Sequence, residues 1–269
     1  MSRLPATELG ELEAFRSLLA GQPGGHTHEL AGALCTALER TPSSALFNSE
    51  LGLGIREPVT EATLDEIAAF YGSLGVAYAV TVTADAAPSD LPELLARRGF
   101  TRGYAWTKFR RGPEPAPSAA DGPRIERIGP EHGVAFAEIF ARAYGAPPAI
   151  HPLVARLPGL DGWQCFLAFA GAAPAATAAL YVVGDVGWLG VAGTLPDLRG
   201  RGAQTALLRG RIDAARELGC TVLVTETGEP VGGRPGASYR NIRRAGFEPA
   251  YVRQNYLSDA NADTSGTLA

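Results

Sequence analysis

The run Thr194-Leu-Pro-Asp-Leu-Arg199-Gly-Arg-Gly202-Ala-Gln-Thr-Ala-Leu-Leu208 decides how this chain is read. It joins a strand-like segment at 186–193, Val-Gly-Trp-Leu-Gly-Val-Ala-Gly, to a segment at 203–218 whose apolar residues Ala206, Leu207, Ile212, Ala215 and Leu218 recur at roughly helical spacing. Between them lies an Arg/Gly turn. The first N–H groups of a helix lack intrahelical partners, and the helix dipole adds partial positive charge at that end. A Gly-rich turn into a helix is therefore preorganised for phosphate or pyrophosphate. Arg199 and Arg201 reinforce the sign.

The 269 residues suit one large domain or two of ordinary size. A hydrophobic content of 46% with 19% charged residues is ample for a buried core and excludes wholesale disorder. The formal charge of −4 argues against general nucleic-acid binding, which needs a basic surface. A local basic patch of Arg199, Arg201, Arg209 and Arg211 still suits a phosphorylated small molecule. Cys35, Cys165 and Cys220 are odd in number and widely spaced, as expected for buried thiols in a reducing cytoplasm. The start has no apolar signal core and no run reaches the length of a membrane span, so neither a membrane nor a nucleic-acid partner is expected. Lys108 is the sole lysine, which we read as a coding bias towards arginine.

Periodicity and turn chemistry predict helices at 7–21 and 27–39, a strand at 44–53, a helix at 58–71, a strand at 77–83, a helix at 89–98 and a strand at 101–110. Residues 111–123, rich in Pro, Gly and Ala, read as a linker. Beyond it come a strand at 124–128, helices at 130–144 and 150–157, and three antiparallel strands at 163–170, 173–183 and 186–193 with turns at Gly171 and Gly184-Asp185. The helix of the opening motif follows, then a strand at 221–226, a Gly-rich loop, a helix at 238–245 and a strand at 248–257. Residues 258–269 read as a disordered tail.

The two halves repeat. Leu95-Ala-Arg-Arg-Gly-Phe-Thr-Arg-Gly-Tyr-Ala105 parallels Ile242-Arg-Arg-Ala-Gly-Phe-Glu-Pro-Ala-Tyr-Val252, each a helix ending in Gly-Phe before an aromatic-bearing strand. We therefore expect two related domains, 1–110 and 124–257. Where the second half has its Arg/Gly turn, the first has Gly54-Ile-Arg-Glu-Pro-Val-Thr-Glu61, without paired glycines and with Glu57 and Glu61 where phosphate would sit. The first half is expected to keep the architecture and to lack the phosphate site.

The run from Arg199 to Gln204 resembles the pyrophosphate loop of the GNAT N-acetyltransferases, Arg/Gln-x-x-Gly-x-Gly/Ala. Arg199 and Gly202 match its first and fourth positions, and Gln204 departs at the sixth. The segment Ser238-Tyr-Arg-Asn241-Ile-Arg-Arg-Ala-Gly246-Phe247 is similar to the family's second cofactor motif, an Asn on a helix before a Gly-Phe ending. The resemblance covers most of 124–257 and, more loosely, 44–110. It implies an α+β tandem of two GNAT-like domains, each a mixed, mostly antiparallel sheet flanked by helices, with the first domain degenerate.

The resemblance also implies a chemistry, the direct attack of an amine on the thioester of acetyl-CoA. It assigns the pyrophosphate to the backbone of Arg199, Gly200, Arg201, Gly202, Ala203, Gln204 and Thr205. Ala192, Gly193 and Thr194 would hold the thioester carbonyl and the pantetheine amides, and Asn241 would add a cofactor contact. The pantetheine arm would lie where the strands before and after the motif helix splay apart. An amine is mostly protonated at neutral pH, so a general base is needed. The strand before the loop has no carboxylate, and Glu226, at the end of the next strand, is the best placed. The tyrosine that the family uses to protonate the leaving thiolate is Ile242 here; Tyr239, Tyr251 or Tyr256 could replace it, with Tyr239 taken as the candidate.

Other chemistries lack their residues. His26, His28, His132 and His151 have no ligands at metal spacing, and no nucleophile elbow is present, so no metal is expected. The acceptor would be an amine of a small molecule or peptide, bound around 144–160. That segment has an apolar start without carboxylates, which argues against a polycationic acceptor. A non-catalytic acyl-CoA-binding protein, or other thioester chemistry on the same scaffold, is the alternative, and a homodimer is compatible with either.

Overall fold

A computed structural model describes residues 4–117, 122–230, 232 and 234–258. In chain order the regular elements are α1 (Ala6–Leu19), β1 (Gly25–Leu30), β2 (Ala33–Leu38), β3 (Ser49–Leu51), α2 (Glu61–Leu74), β4 (Ala79–Val82), α3 (Leu91–Arg97) and β5 (Thr101–Arg111). After the linker come β6 (Ile125–Ile128), α4 (Gly133–Tyr144), α5 (His151–Ala155), β7 (Trp163–Ala170), β8 (Ala173–Val183), β9 (Val186–Thr194), α6 (Ala203–Glu217), β10 (Val222–Gly228), α7 (Ala237–Arg244) and β11 (Glu248–Leu257). The chain divides into two compact units, one formed by residues up to Thr107 together with those from Tyr251 on, the other by Lys108–Ala250.

The second unit carries the opening motif. Its strand order is β5-β10-β9-β8-β7-β6, antiparallel from β6 through β9 and parallel between β9 and β10. The turns at Gly171 and Gly184-Asp185 join β7, β8 and β9 as the sequence predicts. Leu207, Leu208, Ile212 and Ala215 of α6 face Leu180, Leu189, Leu223 and Phe247 in one apolar core. Each such side chain contributes about 1.5–3 kcal/mol when removed from water, which is what holds an Arg-rich helix on the sheet. On the opposite side α4 packs against β8 and β9. The first part of the linker is tethered: Arg111 donates to the carbonyls of Glu114 at 2.6 Å and of Ala245, and Arg216 Nε donates to that of Pro113 at 2.7 Å.

The first unit has the strand order β1-β2-β3-β4-β11-β5. The strand at 248–257, which the sequence assigns to the second half, has residues 251–257 in this unit, where β11 pairs antiparallel with β4 and covers the edge that β4 would otherwise expose. Arg253 on β11 is buried and bonds both Glu8 and Glu11 of α1, a close ion pair that fixes the first helix.

The first half departs from expectation in two places. Residues 27–39, expected as a helix, form the β1–β2 hairpin, in register from Gly25↔Leu38 to Leu30↔Ala33. The composition is helix-forming, but the chain reverses at Ala31-Gly32 with φ of 50° and 76°, the pair of positive values that a tight hairpin turn requires. The strand expected over 44–53 shrinks to β3, because Asn48 closes a turn, accepting from Leu38 N at 2.8 Å and donating to Thr41 O at 2.8 Å. Of the 258–269 tail, Ser258 is fixed by two bonds with the Tyr78 backbone; the rest lies outside the described residues.

Candidate functional site

The turn into α6 is shaped by Gly202. Its φ of 82° is left-handed, where a side chain would be strained, and it is the N-cap of α6. No side chain caps the first turn and no acidic residue stands in it, so the backbone amides of Ala203, Gln204 and Thr205 keep the positive end of the helix uncompensated. Gly200, Arg201 and Gly202 are exposed beside it. In the first unit the counterpart is closed. Thr60 caps α2 by accepting from Thr63 N at 3.1 Å, Thr63 returns the bond, and Glu61 adds negative charge to the first turn.

The arginines of the turn divide. Arg199 donates to the carbonyls of Ala143 at 2.9 Å and Thr194 at 3.4 Å, bracing the turn against the end of α4. Arg211, read from the sequence as part of a local basic patch for a phosphorylated small molecule, is instead buried at 2% exposure.

Gln204 explains its own departure from the small-residue pattern. Its amide nitrogen donates to Ser238 Oγ at 2.9 Å, and its oxygen accepts from Asn241 Nδ2 at 2.8 Å, bridging the start of α6 to α7. The Asn241 amide, expected to reach a cofactor, is engaged by this bridge.

β9 and β10 pair in parallel only from Val222↔Val186 to Val224↔Trp188. The Thr225 hydroxyl then donates to Leu189 O at 2.7 Å, and beyond it β9 carries a bulge against β8. The β8 register passes from Ala179↔Gly190 to Thr177↔Gly193, so that Ala178 opposes both Val191 and Ala192. Val191 adopts φ of 46°, a conformation costing a β-branched residue on the order of 1–3 kcal/mol, so the surroundings must hold it there. Residues 191–194 are half-buried. Tyr144, at the end of α4, donates its hydroxyl to Ala192 O, and burial pushes its pKa up to about 12, so it remains a neutral donor.

Glu226 lies on β10 just past the paired segment. Its Oε2 accepts from Lys108 Nζ at 2.9 Å, and Trp188 Nε1 lies 3.2 Å from both of its oxygens. Lys108 is fully buried and Glu226 is 13% exposed. The indole reaches Glu226 by lying across residue 190, where a Cβ would come within 2.0 Å of the ring, so only glycine fits.

Tyr239 is not brought to Glu226. Its ring packs edge-on against Phe109 at 5.0 Å, on the α6 core, whereas the neighbouring Lys108 reaches Glu226; successive residues of a strand point to opposite faces. Tyr251 and Tyr256 lie in the first unit, where Tyr251 bonds Thr7 and Glu8 and Tyr256 packs on the core. Lys108 and Tyr144 are the neighbours that the sequence reading missed, and Arg211 is the one that it placed in a basic patch. Their signal was faint: a sole lysine, a helix-ending tyrosine, and an arginine on the apolar stripe of α6. Among the described residues no cluster of three His, Cys, Asp or Glu could hold a metal, and no helix is long and apolar enough to cross a membrane.

The second unit is thus an α+β domain in which a parallel strand pair ends beside a bulge and leads into a helix without a side-chain cap. Residues 134–232, which span α4 through the turn and β10, match the acetyltransferase (GNAT) family model. The chain thus carries a GNAT acetyltransferase-family domain. A GCN5-related N-acetyltransferase from Kribbella flavida is similar in structure at 17% identity, with 94% of this chain and 95% of that chain covered and a TM-score of 0.64. A GCN5-related N-acetyltransferase from Sphaerobacter thermophilus is 16% identical, over 84% and 76%, with a TM-score of 0.62. A tandem GNAT protein from the clavulanic acid biosynthesis pathway is 14% identical, over 96% of both chains, with a TM-score of 0.57. The fold is therefore that of a tandem GNAT protein. No curated protein matches the sequence.

Proposed function

We propose that this protein is an N-acetyltransferase that uses acetyl-CoA and acetylates an amine of a small molecule or peptide. The observation that carries the reading is the uncapped start of α6 standing directly after the bulged, parting strand β9. An anion site and a run of half-buried backbone follow one another in the order that a diphosphate and an acylated arm need.

When bound, acetyl-CoA supplies an activated thioester acyl group. The amides from Arg199 to Thr205 would take the diphosphate, and the backbone of Ala192, Gly193 and Thr194 the arm and the acyl carbonyl. Glu226 would accept the proton that the amine loses, directly or through one water, since a protonated amine has no lone pair with which to attack. Lys108 and Trp188 orient its carboxylate by donating to it. A second reading, a non-catalytic acyl-CoA-binding protein, draws on Tyr239 being packed on Phe109 and on Ile242, in the place of the family's acid, being buried at 2% exposure.

Calorimetric titration with acetyl-CoA, followed by thiol release with a panel of small amines and peptides, separates these readings. Saturable binding and amine-dependent thiol release are expected. Absence of binding overturns the cofactor assignment. Binding without turnover on any amine favours the second reading, and thiol release without N-acetylation points to other thioester chemistry.

A further inference from the structure

A bulge strips peptide groups of their cross-strand partners, and here two side chains from opposite layers take up the oxygens. From α6, Arg211 Nη1 donates to Gly190 O at 3.3 Å and to Ala179 O at 3.1 Å, while its Nε donates to Leu207 O at 3.1 Å. From α4, the Tyr144 hydroxyl donates to Ala192 O. The Gly190 carbonyl belongs to the same peptide group as the Val191 N–H, and the Ala192 carbonyl to the same group as the Gly193 N–H. A donor on a peptide oxygen strengthens the N–H at its other end, and neither clamp competes for those N–H groups.

Arg211 is a costly way to make such bonds. It is 2% exposed and pairs with no carboxylate among the described residues, whereas a buried charge is ordinarily paired. Burial lowers its pKa to about 9 while Tyr144 opposes the shift, so the guanidinium is cationic at neutral pH. A neutral donor would satisfy the same oxygens. A cation in their place adds a fixed positive field behind the bulge, of the sign that favours an oxygen gaining negative charge. Arg211 also sits eight residues after Ala203, about 12 Å along the helix whose start faces the phosphate site.

We propose that Arg211 is a positioning residue of the acyl site: together with Tyr144 it locks the Val191–Gly193 bulge and polarises its amides towards an acyl carbonyl oxygen. This rests on the acetyl-CoA reading above, and part of its test does not. In the ligand-free protein, amide hydrogen exchange at 191–193 should speed up at least about tenfold in Arg211→Lys and Tyr144→Phe, as expected when the clamp on a local opening is lost. Ile212→Ala, which cuts the same helix from the core, is the control for general loosening and should leave 191–193 no faster than the rest of β9. With carbonyl-labelled acetyl-CoA, the bound 13C shift should move back towards the free value in Arg211→Met and Arg211→Lys, while the Kd of unacylated CoA stays within about threefold of wild type. Unchanged exchange in both Arg211→Lys and Tyr144→Phe, or an equal carbonyl shift change in Ile212→Ala, overturns the proposal. Failure of the wild type to bind CoA overturns the cofactor reading instead, and the exchange arm then still decides whether the clamp exists.

Discussion

Lys108 Nζ, fully buried on β5, lies 2.9 Å from Glu226 Oε2 on β10. The chain's sole lysine is thus spent on the carboxylate assigned as base. Removing one partner of a buried pair leaves an uncompensated charge, at a cost of about 3–5 kcal/mol, whereas replacing both with residues of similar shape is close to neutral. Lys108→Met should therefore destabilise the protein by about 3 kcal/mol, and adding Glu226→Gln should recover most of that loss. Urea unfolding of the four members of the cycle measures it. An additive double variant would mean that the two groups do not depend on each other.

Glu226→Gln, assayed where urea unfolding shows it still folded because it leaves Lys108 without its counter-charge, separates proton transfer from binding. The amide keeps the shape and can still accept from Trp188 Nε1, but cannot take a proton. Turnover on the best amine should fall by about 10²–10⁴-fold, the usual span for a general base. The calorimetric Kd of acetyl-CoA should stay near wild type, because its assigned contacts are backbone amides elsewhere. An unchanged rate across pH would remove Glu226 as base.

Much of this was legible in the sequence because it is local. The hairpin series β7–β8–β9 and the Gly202-Ala203 helix start follow from turn residues and spacing within a dozen positions. What the sequence did not reveal depends on distant partners. Lys108 meets Glu226 across 118 positions and Tyr144 meets Ala192 across 48, and neither pairing leaves a periodic mark. Arg211 was misassigned because an arginine on a helix is ordinarily solvated, whereas here the carbonyls of Leu207, Ala179 and Gly190 let it be buried. The 27–39 hairpin was missed because its Ala, Leu and Glu content favours a helix, while tertiary pairing with β3 overrides that preference.

Gly202 tests the anion site. An alanine there would have room, since its Cβ would meet only Pro123 Cδ at 3.6 Å, so Gly202→Ala should cost about 1–2 kcal/mol from the left-handed backbone and little else. Gly202→Glu carries the same backbone strain and adds a negative charge at the helix start, where an anionic ligand would be repelled. The alanine variant should keep CoA affinity within about tenfold, and the glutamate variant should bind no CoA detectable by calorimetry. Wild-type affinity in Gly202→Glu would show that the turn does not hold phosphate.

Glu50 offers a pH test in the first unit. It is fully buried on β3, and both carboxyl oxygens lack a hydrogen bond of normal geometry. Burial pushes its pKa well above the ordinary value; Arg253, and the N–H groups of Leu53 and Thr81, pull the other way, while Glu8 adds to the rise. A raised carboxyl pKa means that the folded state holds a proton which the unfolded state has released. Its contribution to stability is full below the unfolded value of about 4.3 and is lost as pH rises towards the folded value. Glu50→Gln keeps the shape without the titration. The wild type and the variant should melt at similar temperatures near pH 4.5, with the variant gaining steadily as pH rises to 8. Parallel melting curves across that range would mean that Glu50 is ionised in the folded protein, with a counter-charge supplied by Arg253.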